Sequence, residues 1–115
     1  MTISDNQWSS MFKNYDAQQA KAEYDKGTEF IDIREQYEYD EIRIPGAKLI
    51  PMSMMNARWQ ELPKDKNVII YCRTGSRSAS LLFQLSSMGY SNLINMSNGI
   101  VEWYEKEFPV EFGNE

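Results

Sequence analysis

The sequence has 115 residues, a net charge of −5 and no histidine. This length accommodates one compact domain, so we expect a single domain over residues 1–115. The acidic balance argues against nucleic acid as the main partner, because phosphate binding needs a basic surface. The lack of histidine excludes a Cys–His protease and a histidine-based zinc site.

The cysteine content and the hydropathy predict where the protein works. Its one cysteine, Cys72, cannot form an internal disulfide, which is typical of a reducing compartment. The N-terminal residues MTISDNQWSSMF have neither the basic nor the apolar segment of a signal peptide. No apolar run approaches the ~18 residues that a membrane helix requires. We therefore expect a cytoplasmic protein with no membrane partner.

The first predicted element is a helix over DAQQAKAEYDKG. Asp16 is its expected N-cap, Gln19 follows three residues later, and Gly27 is the expected stop. TEFIDI then predicts a buried strand that ends near Asp32, and REQYEYDEI predicts a short helix. RIPGAKLIP combines a Pro-Gly turn with a short extended segment, and MNARWQELP predicts a helix that ends before Pro63.

The second half continues the alternation. KDKNVIIYC predicts a central parallel strand, and SNLINM predicts another strand. SRSASLLFQLSSMGY predicts a helix that begins near Arg77 or Ser78 and ends at Gly89. SNGIVEWYEKE predicts the last helix, whose Trp103 and Tyr104 we expect in the core. The apolar face of the longer helix is expected to comprise Leu81, Leu82, Leu85 and Met88.

Strands that alternate with helices of about ten residues indicate an α/β fold. Because parallel strands need crossover helices, we expect a mostly parallel central sheet with helices on both faces. Cys72 would lie just past the carboxyl end of the central strand, where ligands bind in such sheets.

The residues around Cys72 predict an anion-binding loop. A helix N-terminus directs free N–H groups and partial positive charge at this position, which favours a thiolate. Arg73 and Arg77 add formal positive charge, and at least one of them is expected to attract an anionic donor. The remaining loop residues are small and let the backbone curl around the sulfur: Thr74, Gly75, Ser76 and Ser78.

Such a loop suits sulfur transfer through a Cys72 persulfide. The reaction needs a nucleophilic thiolate and a stabilised persulfide, and it needs no metal, cofactor or general base.

Three motifs in this chain resemble those of the rhodanese family of sulfurtransferases. CRTGSRS is similar to the family's active-site loop, and FIDIREQYEYDEIRIPGAKLIP to its Asp-x-Arg-Glu…Ile-Pro-Gly-Ala segment. SNLINMSNGIVEWYEKEFPV is similar to its closing Gly-Gly-x-x-x-Trp segment. The resemblance covers roughly residues 16–110. Two positions depart from the pattern: Ile42-Arg43 replaces the usual Gly-His, so the local turn there is expected to differ, and Asn98-Gly99 replaces the second glycine pair.

The resemblance implies a three-layer rhodanese-like fold and a sulfurtransferase of the thiosulfate:cyanide type. Cys72 would carry the sulfur, and residues 73–78 would bind the substrate and the persulfide. The donor would be thiosulfate or a small-molecule or protein persulfide, and the acceptor cyanide or a thiol, such as that of a thioredoxin-like protein.

Two other functions stay open. The chain could be a sulfur-relay or regulatory module that binds a protein partner. It could also be a cysteine phosphatase or arsenate reductase, whose loops place five residues between the cysteine and the arginine. Here only four residues separate Cys72 from Arg77, and Tyr71 stands where the phosphatases have histidine, so the loop fits a sulfur atom better than a phosphate.

Two further groups have simpler interpretations. Asp32, Arg34 and Glu35 could act in acid–base chemistry, but an ion pair or a helix cap is the favoured interpretation. The methionines of MSMM, residues 52–55, could line the approach to Cys72, but filling gaps in the core is favoured.

Overall fold

A computed structural model describes residues 11–113. The signal-peptide expectation concerns mainly residues 1–10, which lie outside the described range. Within residues 11–113, no helix combines the length and the apolar character needed to cross a membrane.

The centre of the fold is a sheet of five parallel strands, as the α/β prediction requires. The spatial order is β1, β6, β5, β2 and β4, and every neighbouring pair is parallel. Ile70 lies at the middle of the sheet, opposite Ile31 on one side and Asn95 on the other. The strands are β1 (Lys13–Tyr15), β2 (Glu29–Asp32), β4 (Lys48–Leu49), β5 (Val68–Tyr71) and β6 (Leu93–Met96).

Within residues 11–113, five α-helices connect and cover these strands. They are α1 (Ala17–Asp25), α2 (Gln36–Glu41), α3 (Met55–Arg58), α4 (Ser76–Ser87) and α5 (Gly99–Glu105). The predicted cap of α1 is confirmed: Asp16 Oδ1 accepts from Gln19 N at 2.8 Å, and Gln19 Oε1 accepts from Asp16 N at 3.0 Å. These bonds satisfy N–H groups that have no partner inside the helix.

The side chains of β5 alternate between two hydrophobic cores, one on each face of the sheet. Val68 and Ile70 join the core that contains Cys72, whereas Ile69 and Tyr71 join the other. Helices α3 and α4 cover the first core, and α1 and α5 cover the second. Burial on both faces explains why this strand is apolar throughout.

The predicted helix over MNARWQELP is wrong as one continuous element. The chain instead forms a 3₁₀ turn at Met52–Met54, the short α3, and a second 3₁₀ turn at Trp59–Glu61. The tighter turns place Met52, Met55, Trp59 and Leu62 against the same core. Met52 and Met55 therefore fill the core as favoured, whereas Met54 is exposed.

Two residues expected in the core are exposed. Met88 lies beyond the last residue of α4, at its C-cap, where the helix no longer faces the sheet. Tyr104 lies on the outer side of α5 and packs edge-on against Phe112, with ring centroids 6.1 Å apart. The expectation for Trp103 is confirmed, because its side chain is fully buried.

The Ile42-Arg43 pair forms a strand of its own. Strand β3 (Ile42–Arg43) pairs antiparallel with β7 (Glu111–Phe112) in a separate two-stranded sheet. Ile42 has φ −155° and ψ 139°, which is extended backbone that a β-branched residue favours. The position therefore needs no glycine in this chain.

Candidate functional site

Cys72 lies one residue beyond β5, at the carboxyl edge of the sheet, and only 1% of its surface is exposed. The loop that follows is tighter than expected, since α4 begins at Ser76 rather than at Arg77 or Ser78. Cys72 Sγ accepts hydrogen bonds from Gly75 N at 3.1 Å and from Ser78 N at 3.4 Å. Ser78 Oγ lies 3.3 Å from the same sulfur. Two backbone N–H groups at the N-terminus of α4 therefore donate to the sulfur, an arrangement of the kind that binds anions.

Two glycines allow the Cys72 loop to pack against the connection between β6 and α5. Gly75 has φ +98°, and a Cβ at this position would overlap the carbonyl group of Ser97. Gly99 has φ +64°, and a Cβ there would overlap the carbonyl group of Arg73. Hydrogen bonds hold the same contact, from Ile100 N to Cys72 O at 3.0 Å and from Val101 N to Arg73 O at 3.2 Å. Asn98 has φ −112°, so the left-handed conformation falls on Gly99 alone.

The two loop arginines have different environments. Arg77 forms a two-pronged ion pair with Glu38 of α2, with both N–O distances at 2.9 Å. Its hydrogen bonds hold the pKa of Glu38 at about 2, well below the usual 4.5. Arg73 is exposed, and among the described residues its guanidinium has no ion-pair or hydrogen-bond partner. Arg73 is therefore the loop cation whose charge is free to meet an anion.

A cleft of about 470 Å³ lies next to the loop, between α2, β3 and α5. Arg73 lines it at the loop, and two largely exposed tyrosines, Tyr37 and Tyr104, line it further out. The cleft gives a partner molecule room beside the Cys72 loop.

Asp32 and Arg34 form a buried ion pair, as favoured over an acid–base role. Arg34 Nη2 donates to Asp32 Oδ2 at 2.7 Å, and Arg34 Nε donates to Asp32 Oδ1 at 3.0 Å. Neither side chain exposes more than 3% of its surface. Glu35 occupies the N-cap position of α2, and its carboxylate accepts from Ser53 Oγ at 2.6 Å. All three acid–base candidates therefore have structural partners.

Tyr71, at the position before Cys72, points into the opposite core. Its hydroxyl accepts from Ile44 N at 3.2 Å, and burial raises the pKa of Tyr71 well above its ordinary value. The side chain therefore anchors β5 and lies on the face away from the sulfur.

Of the predicted loop residues, Gly75 and Ser78 contact the sulfur of Cys72. Gly75 and Ser78 are buried against the sulfur, Arg77 is half-buried, and Arg73, Thr74 and Ser76 are exposed. The sequence reasoning missed Glu38 and Asn95, which contact Arg77 and Ser78 respectively. The sequence does contain a sign that Asn95 has a specific role, since it is a polar residue within an apolar strand. It contains no such sign for Glu38, which lies among other acidic residues.

Residues 16–106 match the Rhodanese-like domain family. The chain belongs to this family. A cysteine buried in the strand-to-helix loop of a rhodanese-like domain fits the position of a catalytic cysteine.

Individual relatives agree with the family assignment. A protein named Sulfurtransferase from Allochromatium vinosum is 38% identical over 80 residues, which cover 70% of this chain and 75% of that protein. The probable adenylyltransferase/sulfurtransferase MoeZ of Mycobacterium tuberculosis is 38% identical over 81 residues, which are 69% of this chain but only 21% of MoeZ. The crystal structure of a rhodanese-related protein from Thermoplasma volcanium has a TM-score of 0.80 and 29% identity, and the match covers 87% of this chain and 98% of that one.

The packing of Gly75 can be tested with a glycine of the same backbone conformation. Gly89 also has φ +98°, but a Cβ there would have no atom within 4 Å. We expect Gly89→Ala to lower the free energy of unfolding by about 1–2 kcal/mol through backbone strain alone. Gly75→Ala should cost about 2 kcal/mol more, because it adds a backbone overlap. Urea unfolding measures both, and equal losses would contradict the close contact with Ser97.

The Arg77–Glu38 ion pair predicts a specific dependence of stability on pH. Because the pKa of Glu38 is depressed to about 2, its contribution is complete above the ordinary value of 4.5 and is lost as the pH falls toward 2. We expect Glu38→Gln to unfold more easily than wild type near neutral pH, with a difference that shrinks on acidification. Urea unfolding across this range measures the difference, and exposed Glu105→Gln is the control. A difference that stays constant down to about pH 2 would exclude this role for the pair.

Proposed function

We propose that this chain is a sulfurtransferase that carries sulfane sulfur as a persulfide on Cys72. The observation that supports this most is the geometry of Sγ, which is held by the N–H groups of Gly75 and Ser78 at the N-terminus of α4. The names of the relatives that contain this domain agree with sulfur transfer.

The first step loads the cysteine. The Cys72 thiolate attacks the outer sulfur of thiosulfate, a new S–S bond forms, and sulfite leaves with the electron pair of the bond that breaks. One persulfide anion and one sulfite replace one thiolate and one thiosulfate, so the charge balances without an oxidant. The negative charge moves to the outer sulfur of the persulfide.

The loop has N–H groups for this second sulfur. Within the described part of the chain, the backbone N–H groups of Thr74, Ser76 and Arg77 donate to no other group. They belong to the loop and the first turn of α4, where the helix dipole also favours a negative charge. The persulfide therefore needs no histidine and no metal for its stabilisation.

The second step empties the cysteine. A cyanide or thiolate acceptor attacks the outer sulfur, takes it, and leaves the Cys72 thiolate. We propose that the physiological acceptor is a thiol, including one on a protein such as a thioredoxin-like partner. The cleft beside the loop supports this, because its exposed tyrosines offer a contact surface larger than a small anion needs.

The sulfur-relay alternative uses the same chemistry with a protein donor. It is supported by the putative sulfur carrier protein YrkF of Bacillus subtilis, which is 30% identical over 86 residues. The phosphatase alternative has weaker support. The N–H groups of Gly75 and Ser78 bind the cysteine sulfur itself, and Arg77, which a phosphatase would use on phosphate, is paired with Glu38.

A loading experiment tests the persulfide. After incubation with thiosulfate and removal of the excess, we expect the protein mass to rise by one sulfur atom and to return on addition of cyanide. Cys72→Ser should gain nothing. If wild type gains no sulfur from thiosulfate or from a low-molecular-weight persulfide, the proposed function is wrong. Hydrolysis of p-nitrophenyl phosphate that depends on Cys72 would instead favour the phosphatase.

The exposed charge of Arg73, which has no ion-pair partner among the described residues, predicts a selective effect on anionic donors. We expect Arg73→Gln to slow loading by thiosulfate about 3- to 10-fold and to weaken its dependence on ionic strength. Alkylation of Cys72 by uncharged iodoacetamide should change much less. Lys64→Gln is the control, since Lys64 is exposed, has no ion-pair partner among the described residues and lies before β5, near the opposite edge of the sheet. Equal slowing with both reagents would indicate a distorted loop instead of a lost attraction.

A further inference from the structure

A chain of hydrogen bonds links Cys72 to the edge of the sheet. Ser78 Oγ, 3.3 Å from Cys72 Sγ, donates to Asn95 Oδ1 at 2.5 Å. Asn95 Nδ2 in turn donates to Asn14 Oδ1 on β1 at 3.0 Å. Ser78 and Asn95 expose no more than 2% of their surfaces, whereas Asn14 is exposed. Among the described residues, neither asparagine hydrogen-bonds to the sulfur.

The direction of the single hydroxyl hydrogen of Ser78 determines whether the hydroxyl donates a hydrogen bond to the sulfur or accepts one from it. A serine hydroxyl donates one hydrogen bond and accepts others through its lone pairs. Two acceptors compete with the sulfur for that hydrogen: Asn95 Oδ1 at 2.5 Å and Gly75 O at 3.1 Å. Because Asn95 Nδ2 faces Asn14 Oδ1, the amide oxygen of Asn95 is the end that faces Ser78.

We propose that Asn95 is a positioning residue that acts on Cys72 through Ser78. By accepting the hydroxyl hydrogen, Asn95 turns the lone pairs of Ser78 Oγ toward Cys72 Sγ. In the free protein Ser78 then accepts a hydrogen bond from the thiol. The thiolate, by contrast, depends on the N–H groups of Gly75 and Ser78 without help from the hydroxyl. Asn95 therefore limits the thiolate fraction of unloaded Cys72.

The charged groups around the sulfur are not part of the hydrogen-bond series Cys72–Ser78–Asn95–Asn14. Arg77 on α4 is paired with Glu38 on α2, Arg73 is exposed on the loop, and Asp32 on β2 is paired with Arg34. Substitution of Asn95 by another neutral residue alters none of these charges, so its effect on Cys72 has to pass through hydrogen bonds.

Asn95→Leu tests the proposal, since leucine has a similar size but accepts no hydrogen bond. The hydroxyl of Ser78 then has two acceptors left, Gly75 O and the sulfur. Because a thiolate carries a full charge, it is the stronger acceptor of the two, and its hydrogen bond to Ser78 favours the thiolate form. The test uses a pH at which wild type alkylates with iodoacetamide at about a tenth of its plateau rate. There we expect Asn95→Leu to react about 3- to 10-fold faster and to show a matching rise in thiolate ultraviolet absorbance. An unchanged rate would overturn the proposal.

Two controls separate positioning from a loosened loop. Asn95→Asp keeps an acceptor for Ser78 and should react no faster than wild type. In a Ser78→Ala background, Asn95→Leu should have no further effect, because the residue through which it acts is gone. An acceleration that persists in this background, or one that Asn95→Asp shares, would mean that the loop has simply opened and would overturn the proposal.

Folding and function are checked independently. If Asn95→Leu does not fold, Asn14→Ala replaces it as the test, since Asn14 is exposed. This variant should accelerate alkylation by a smaller factor, because the side-chain amide of Asn95 can then rotate away from Ser78. No acceleration in Asn14→Ala would overturn the proposal. The inference rests on the proposed function only in taking Cys72 as the reacting group. Alkylation does not measure sulfur transfer, so the two results are independent. If sulfur loading failed but the acceleration of alkylation in Asn95→Leu still required Ser78, the proposed function would be refuted and this inference would stand.

Discussion

The close contact between two loops at the carboxyl edge of the sheet is the constraint on which the site depends. Gly75 and Gly99 let the loop after β5 and the connection after β6 approach to a distance that excludes any Cβ. This contact bends the backbone so that the N–H groups of Gly75 and Ser78 point at one sulfur atom. A looser loop would leave the same residues present but would not direct their N–H groups at the sulfur.

The polar groups beneath the loop support this geometry. Tyr71 and the Asp32–Arg34 pair hold the ends of β5 and β2, and Asn95 holds Ser78 from β6. Within the described residues, every buried polar side-chain atom has a hydrogen-bond partner. Satisfied groups of this kind fix a unique arrangement, because moving any one of them would leave another unpaired in a dry interior. The side chains that support the loop are therefore already paired before a substrate arrives.

Local patterns in the sequence predicted much of the fold and the position of the sulfur. Features that depend on neighbouring residues could be predicted from the sequence. They are the cap at Asp16, the apolar strand before Cys72 and the glycine-containing loop. Contacts between residues far apart in the sequence could not be predicted in this way. Glu38 meets Arg77 across 39 positions, Asn95 meets Ser78 across 17, and Ile42 pairs with Phe112 at the other end of the chain. The exposure of Met88 and Tyr104 was missed because helical periodicity does not say where a helix leaves the core.

The site offers hydrogen-bond donors to a sulfur atom although the protein is acidic and has no histidine. The net charge is −5, and Glu38 neutralises Arg77, the arginine in the first turn of α4. The positive potential at Sγ therefore comes mainly from backbone N–H groups and the N-terminus of α4. Arg73 adds a charge at the mouth of the loop that has no ion-pair partner within residues 11–113. Backbone dipoles act over short distances, so under the proposed function they stabilise a negative charge on a persulfide at Cys72 more than on an ion outside the loop. A loop of four residues between Cys72 and Arg77 supports the same preference, because its donors already contact the sulfur and leave little depth for a tetrahedral phosphate.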